Sequence, residues 1–225
     1  MKTTLAFDVY GTLIDTQGVL TQLQAWVGDD ANALSLSWRN KQLEYSFRRG
    51  LMQDYQPFSV CTRDALNYAC SLHKVVLTHE QKEALLQSYL TLPAFDDVAV
   101  ALDQLSRSGL RLFAFSNGER SAVESLLSHA HIEQYFEGVV SCDDIKTFKP
   151  NPAVYKHLTN ETHSLTNETW LVSSNPFDVL GAMSSGLKSA WVCRSEASIF
   201  DPWGQAPTET IADLLGLTAL FDRQQ

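Results

Sequence analysis

The sequence predicts an α/β fold: a parallel sheet covered by helices on both faces, with a helical cap inserted after the first strand. Three observations carry this. Short apolar runs that end in small, polar or charged residues alternate with amphipathic helical stretches along most of the chain, a pattern that builds parallel strands joined by crossover helices. The segment 17–92 breaks the alternation and reads as helix after helix. At 225 residues, 44% apolar and 19% charged, the chain is long enough for one substantial core and a smaller insert.

The first strand is the run Leu5 to Phe7, stopped by Asp8 and followed by a Gly11-Thr12 turn. The insert comes next, with helices expected over 17–27, 35–49, 59–72 and 79–91, separated by the polar or proline-bearing breaks "GDDAN" and "DYQP". The expected division is a core of 1–16 and 93–225 and a cap of 17–92. Residues 97–108 place Val98, Ala101, Leu102 and Leu105 on one helical face, and 119–130 do the same with Val123, Leu126 and Leu127. Between them lies the second strand, "LRLFAF", ending in Ser116 and Asn117. A third strand is expected around Val139 and Val140, a fourth over Thr169 to Val172 and a fifth at 189–193 after the Gly186 turn. In "KPNPAVY", Asn151 can cap a helix whose first position is Pro152, leaving Lys149 in the extended segment before it. "SSNPFDVLGA" also reads as a helix start, with Asp178 in the first turn, where the helix dipole favours a carboxylate.

A formal charge of -9 argues against nucleic acid or an anionic membrane as partner. The four cysteines form no C-x-x-C pair and suit neither a zinc site nor a disulfide framework. "MKTTLAF" meets Asp8 too early for a secretory signal, and no apolar run reaches membrane-spanning length, so a cytoplasmic setting is expected.

Polar groups collect after four strands: Asp8 and Thr12; Ser116 and Asn117; Lys149 and Tyr155; Ser173, Asn175 and Asp178. One strand-end aspartate is as well explained by a turn or cap. Four strand ends bearing complementary groups are not, because ligands of open parallel sheets bind at the carboxyl ends of the strands. On the insert, Arg39, Leu43 and Phe47 recur at i, i+4 and i+8, so a cation and an apolar wall share one helical face.

"FDVYGTL", "FSNG", "KPNPAVY" and "VSSNPFDVLGA", with "SWRNKQLEYSFRRGLM" in the insert, resemble the haloacid dehalogenase superfamily, and within it the type II L-2-haloacid dehalogenases. The resemblance implies a Rossmann-like core with a cap. It also implies hydrolysis of short L-2-haloacids to D-2-hydroxy acids through an aspartyl ester, with no metal and no cofactor. Asp8 would be the nucleophile and Lys149 the cation beside it. Thr12, Ser173 and Asn175 would orient Asp8 and Lys149, Tyr155 would support them, and Asp178 would position or activate water. Ser116, with backbone N–H groups near Val9 and Tyr10, would hold the substrate carboxylate. Arg39 and Asn117 would cradle the halide, and Tyr10, Leu43, Phe58 and Phe177 would line the pocket. The relatives are often homodimers, so one is expected.

The superfamily's phosphatases carry a second aspartate where this chain has Tyr10, and a Gly-Asp pair where it has Ser173 and Ser174. Losing both carboxylates removes a general acid and a magnesium ligand together. Halide needs no proton to leave, so carbon–halogen chemistry tolerates both losses. A phosphatase of the same superfamily and a non-catalytic binding protein on this scaffold are the alternative readings. Phe177 stands where relatives commonly have tryptophan, and Asn40 where they often have glutamine.

Overall fold

The computed structural model describes residues 2–222. Six strands form one all-parallel sheet in the order β3-β2-β1-β4-β5-β6. They are β1 (Thr4–Asp8), β2 (Arg111–Ser116), β3 (Gly138–Ser141), β4 (Thr169–Ser173), β5 (Lys188–Val192) and β6 (Glu209–Ile211). The chain builds outward from β1 through β2 to β3, then returns to the other side of β1 with β4. The strand order therefore reverses beside β1, the place where an open parallel sheet leaves a crevice at its strand ends.

Every residue of β1 is buried, because both faces of the sheet are covered. Leu5 and Phe7 point into one apolar cluster with residues of α5 (Val98–Arg107), α6 (Arg120–His129) and α9 (Leu214–Asp222). Ala6, between them, points into a second cluster with Val154, Tyr155 and Leu158 of α7 (Pro152–Glu161) and Ala182 of α8 (Pro176–Ser184). This is the period-two alternation of a strand buried on both sides.

The insert comprises α1 (Leu20–Val27), α2 (Ala31–Met52), α3 (Phe58–His73) and α4 (His79–Ser88). Its core, including Leu34, Trp38, Phe58 and Leu66, is continuous with the first cluster, so cap and sheet share buried apolar surface. The helix edges differ from expectation for local reasons. Residues 16–19 form a 3-10 turn capped by Asp15, which delays α1. The buried face of α2 includes Ala31 and Leu34, so that helix starts before 35, and it runs on to Met52 before Gln53 turns left-handed (φ 55°). Helix α4 opens with a Thr78–Gln81 capping box. Strand β6 and helix α9 were not anticipated: β6 is a three-residue edge strand with no fully buried position, so it carries no apolar run to read.

The two crossings between cap and core lie side by side. Asp15 N donates to Pro93 O (2.9 Å) and Phe95 N to Leu13 O (3.0 Å), and Ile14 bridges Ala94. Arg194 braces these crossings, donating to Thr12 O through Nη2 (2.6 Å) and Nε (3.1 Å) and to Asp97 Oδ1 through Nη1 (2.9 Å). Among the described residues no helix is long and apolar enough to cross a membrane.

Gly181 on α8 lies against the α7 side of the site. A Cβ there would clash with Tyr155 Oη and meet Pro150 Cβ at 2.7 Å. Overpacking of this kind costs about 1–3 kcal/mol, so Gly181→Ala is expected to lower unfolding stability by that amount in urea titration. An unchanged midpoint would show that Tyr155 moves aside freely.

Candidate active site

Asp8 is the last residue of β1 and lies in register with Phe115 of β2. Lys149 reaches this point from the loop before α7, and the Lys149–Pro150 peptide bond is cis. Its Nζ donates to Asp8 Oδ1 (2.9 Å), Phe115 O (2.8 Å) and Asp178 Oδ2 (2.8 Å). An ammonium has three donors, and all three are used. The side chain is 1% exposed, so an unpaired charge here would be prohibitive. Burial works to lower the Lys149 pKa, but Asp178 and Asp8 outweigh it and hold it above the ordinary lysine value. The ammonium therefore stays charged.

Asp178 lies in the first turn of α8, as expected, but the dipole does not decide its ionisation. It is fully buried, and burial raises its pKa above the ordinary carboxylate value; Lys149 pulls the other way and the Asp8 charge adds to the rise. Tyr155 Oη donates to Asp178 Oδ1 (2.8 Å) and to its carbonyl oxygen (3.1 Å). Burial first, then Asp178, holds that phenol far above its ordinary pKa, so it remains a donor.

The second Asp8 oxygen, Oδ2, accepts from Thr12 Oγ1 (2.8 Å) and Asn175 Nδ2 (2.7 Å). Asn175 occupies the N-cap position of α8 ahead of Pro176, yet its side chain makes no capping bond; it is directed at Asp8 instead. Ser173 was expected to touch Asp8 or Lys149. Its hydroxyl accepts from Asn175 N (3.1 Å), so it acts on the carboxylate through Asn175. Ser174 donates to Gly11 O (2.7 Å), and its N–H donates to Thr12 Oγ1 (2.9 Å), locking the turn after Asp8 to the end of β4.

Asn117 Oδ1 accepts from Lys149 N (2.9 Å) and so fixes the lysine backbone. Ser116 Oγ accepts from Gly118 N (3.0 Å), which leaves its hydroxyl proton to serve a ligand. Arg39 descends from α2, with Nη2 on Tyr10 O (3.2 Å) and Nη1 on Gln42 Oε1 (2.8 Å). The Tyr10 ring lies 6.2 Å from Phe58, and Phe47 meets Phe177 edge-on at 4.9 Å. Leu43 lies half-buried one turn from both Arg39 and Phe47. Burial raises the Tyr10 pKa, with Tyr89 and Glu119 adding to it, so Tyr10 contributes a neutral aromatic face rather than an acid near neutral pH. A crevice of about 140 Å³ opens between α3, α4 and the start of α6, with Tyr10, Phe58, Gln42 and Thr62 among its lining. Asp8, 7% exposed, is not one of its lining residues. The described residues contain no group of three or more His, Cys, Asp or Glu placed to hold a metal.

Sequence reasoning missed Gln42, Arg194 and the Phe115 carbonyl. Only Gln42 left a signal, being one turn from Arg39 on the same helix.

Residues 5–192 match the sequence model of the family described as haloacid dehalogenase-like hydrolase. The chain is 33% identical over 218 residues to (S)-2-haloacid dehalogenase 2 of Pseudomonas sp. (strain CBS-3), covering 97% of this chain and 95% of that protein. It is 36% identical over 208 residues to haloacetate dehalogenase H-2 of Moraxella sp. (strain B), covering 92% of each. Its structure is similar to that of the L-2-haloacid dehalogenase of Xanthobacter autotrophicus with chloropropionic acid covalently bound, with a TM-score of 0.90 at 28% identity over 100% of both chains.

Two outcomes follow from the buried charges. Lys149→Met leaves two buried carboxylates without their cation and is expected to cost about 3–5 kcal/mol in guanidinium unfolding; a loss under about 1 kcal/mol would contradict the pairing. Asp178 has a folded pKa above its unfolded value. Its contribution to stability is therefore fully present below the unfolded pKa and is lost as pH rises through the folded one. Relative to Asp178→Asn, the wild type should lose stability as pH rises from the ordinary carboxylate range; a gap independent of pH would exclude a raised Asp178.

Proposed function

Because the chain belongs to the haloacid dehalogenase-like hydrolases, we propose that it hydrolyses short L-2-haloacids to D-2-hydroxy acids through an ester on Asp8. One observation carries the reading: Lys149 is held between Asp8 and Asp178, with a cap arginine on the neighbouring Tyr10 carbonyl. The charge that a metal would otherwise supply is built in as an ammonium, and a halide-sized anion has a cation waiting above the nucleophile.

In this reading the substrate carboxylate lies on the Ser116 hydroxyl and the backbone N–H groups near Val9 and Tyr10. Leu43, Phe58, Phe177 and the Tyr10 ring enclose its carbon chain, and Arg39 with Asn117 takes the halide. Asp8 Oδ1, which accepts one hydrogen bond where Oδ2 accepts two, attacks C2 as the carbon–halogen bond breaks. The halide leaves with the bonding pair and C2 inverts. Oδ2 becomes the ester carbonyl oxygen, with Thr12 and Asn175 already in place to stabilise the charge that forms there. Water then adds to the Asp8 carbonyl carbon and gives a proton to Asp178. Burial raises the Asp178 pKa toward working pH, which suits a base. The acyl bond to Oδ1 breaks, and the departing alkoxide takes a proton from Lys149 Nζ. Proton return from Asp178 to Lys149, and loss of one proton from Asp8 to solvent, restores the resting site. Ser173 supports Asn175, and Tyr155 supports Asp178.

We also propose 17–92 as the cap domain over a core of 1–16 and 93–225, a cytoplasmic setting and a homodimer. The dimer rests on the family resemblance, and light scattering at twice the chain mass is its test.

The wild type is expected to release halide from L-2-chloropropionate and to yield the D-hydroxy acid, with no dependence on chelator. Asp8→Asn is expected to lose about 10³-fold or more of that rate, as removal of a covalent nucleophile does. Halide release that persists in Asp8→Asn, with deamidation excluded by mass, would overturn the proposal. So would metal-dependent release of phosphate from a phosphomonoester without any release of halide.

A further inference from the structure

Arg39 does not set its own direction. Gln42, one turn along α2, is fully buried, and its Oε1 accepts from Arg39 Nη1 (2.8 Å). On its other side, Gln42 Nε2 donates to Thr62 Oγ1 (2.6 Å), and Thr62 Oγ1 donates to Phe58 O (2.9 Å). Thr62 is anchored again by its own carbonyl, which accepts from Trp38 Nε1 (2.8 Å). Every donor and acceptor in this chain has one possible sense. A guanidinium has no acceptor, so the amide must present oxygen to Arg39 and therefore nitrogen to Thr62. The Thr62 proton is already committed to Phe58 O, so Thr62 can only accept from Gln42. A carboxylate at 42 would satisfy Arg39 but could not donate to Thr62, and an apolar residue would do neither. Glutamine is the side chain that fits both neighbours.

We propose that Gln42, backed by Thr62, is a positioning residue for halide binding: it fixes the plane of the Arg39 guanidinium so that Nη2 lies over the Tyr10 carbonyl. The N–H groups that make no bond among the described residues then face the leaving halide. The inference rests on the dehalogenase reading and adds to it a residue that touches neither substrate nor halide. A fork held at one corner loses less freedom when halide arrives, which strengthens binding at the moment charge develops. The ester-hydrolysis step occurs after halide has been displaced and does not use Arg39, so Gln42 should leave that step alone.

This separation gives the test. In the full-length protein, Gln42→Leu is compared with wild type for three quantities: inhibition by added chloride, the rate of ester formation with L-2-chloropropionate, and the single-turnover rate of ester hydrolysis. Chloride inhibition is expected to weaken about tenfold and ester formation to slow about tenfold, the scale of one hydrogen bond to a charged group, while ester hydrolysis is unchanged. In an Arg39→Lys background, the same substitution should add little, because the group it orients is gone. Thr62→Val should weaken chloride inhibition in the same direction, and Thr62→Ser, which keeps the hydroxyl, should restore it. If Gln42→Leu does not fold, the Thr62 pair decides. Unchanged chloride inhibition, full additivity with Arg39→Lys, or ester hydrolysis slowed as much as ester formation would each overturn the proposal. If the wild type itself released no halide, the dehalogenase reading would fail instead, so the two failures are distinguishable.

Discussion

The architecture of the site depends on one buried ammonium. Lys149 Nζ has three protons and three partners: Asp8, Asp178 and the Phe115 carbonyl. These partners come from the ends of β1 and β2 and the first turn of α8. Taking a lysine and two carboxylates out of water is costly, and only complete pairing makes it tolerable. That requirement explains the surroundings. Asn117 pins the Lys149 backbone, Tyr155 holds Asp178, and Thr12 and Asn175 hold the remaining oxygen of Asp8. The reversal of strand order beside β1 makes the convergence possible, since it places β2 and β4 on either side of the strand that ends in Asp8.

The same arrangement sets the role of the cap. Two carboxylates and one ammonium leave a net negative charge, which would repel an anionic substrate. Arg39 brings a cation from the cap to the Tyr10 carbonyl, two residues beyond Asp8. Its contact with the Tyr10 carbonyl and the continuous apolar cluster joining cap and sheet fix the cap cation close to the end of β1. Placing Asp8 at 7% exposure also strengthens every electrostatic interaction around it, because less water screens them. Where the chain crosses between cap and core, Arg194 holds the Thr12 carbonyl and Asp97. Thr12 is thereby fixed at its backbone by Arg194 and at its hydroxyl by Asp8.

Much of this was legible in the sequence, for identifiable reasons. Strand ends could be read because apolar runs stop at Asp8, at Ser116-Asn117 and at Ser173-Ser174-Asn175. Asn151-Pro152 announced the start of α7, and its cap bond from Ala153 N is present at 2.9 Å. The i, i+4, i+8 spacing of Arg39, Leu43 and Phe47 puts the three on one side of α2, and each is partly buried. Other features left no local trace. Asn175 forgoes its cap to reach Asp8, and Ser173 serves Asn175 instead of the carboxylate; both depend on where β1 lies relative to β4. Asp178 lies in the first turn of α8 as its sequence position implies, but its burial, which raises its pKa, is invisible in one sequence. Arg194 reaches Thr12 across 182 positions, a distance no window of sequence spans.

The central claim is that Asp8 attacks carbon and is regenerated by water at its own carbonyl. A single turnover in ¹⁸O-water, with enzyme in excess over L-2-chloropropionate, tests this most directly through peptide mass spectrometry. The account predicts one heavy oxygen in the peptide containing Asp8 and an unlabelled 2-hydroxy acid product. Heavy oxygen in the product and none at Asp8 would mean that water attacks the substrate itself, and would contradict the account.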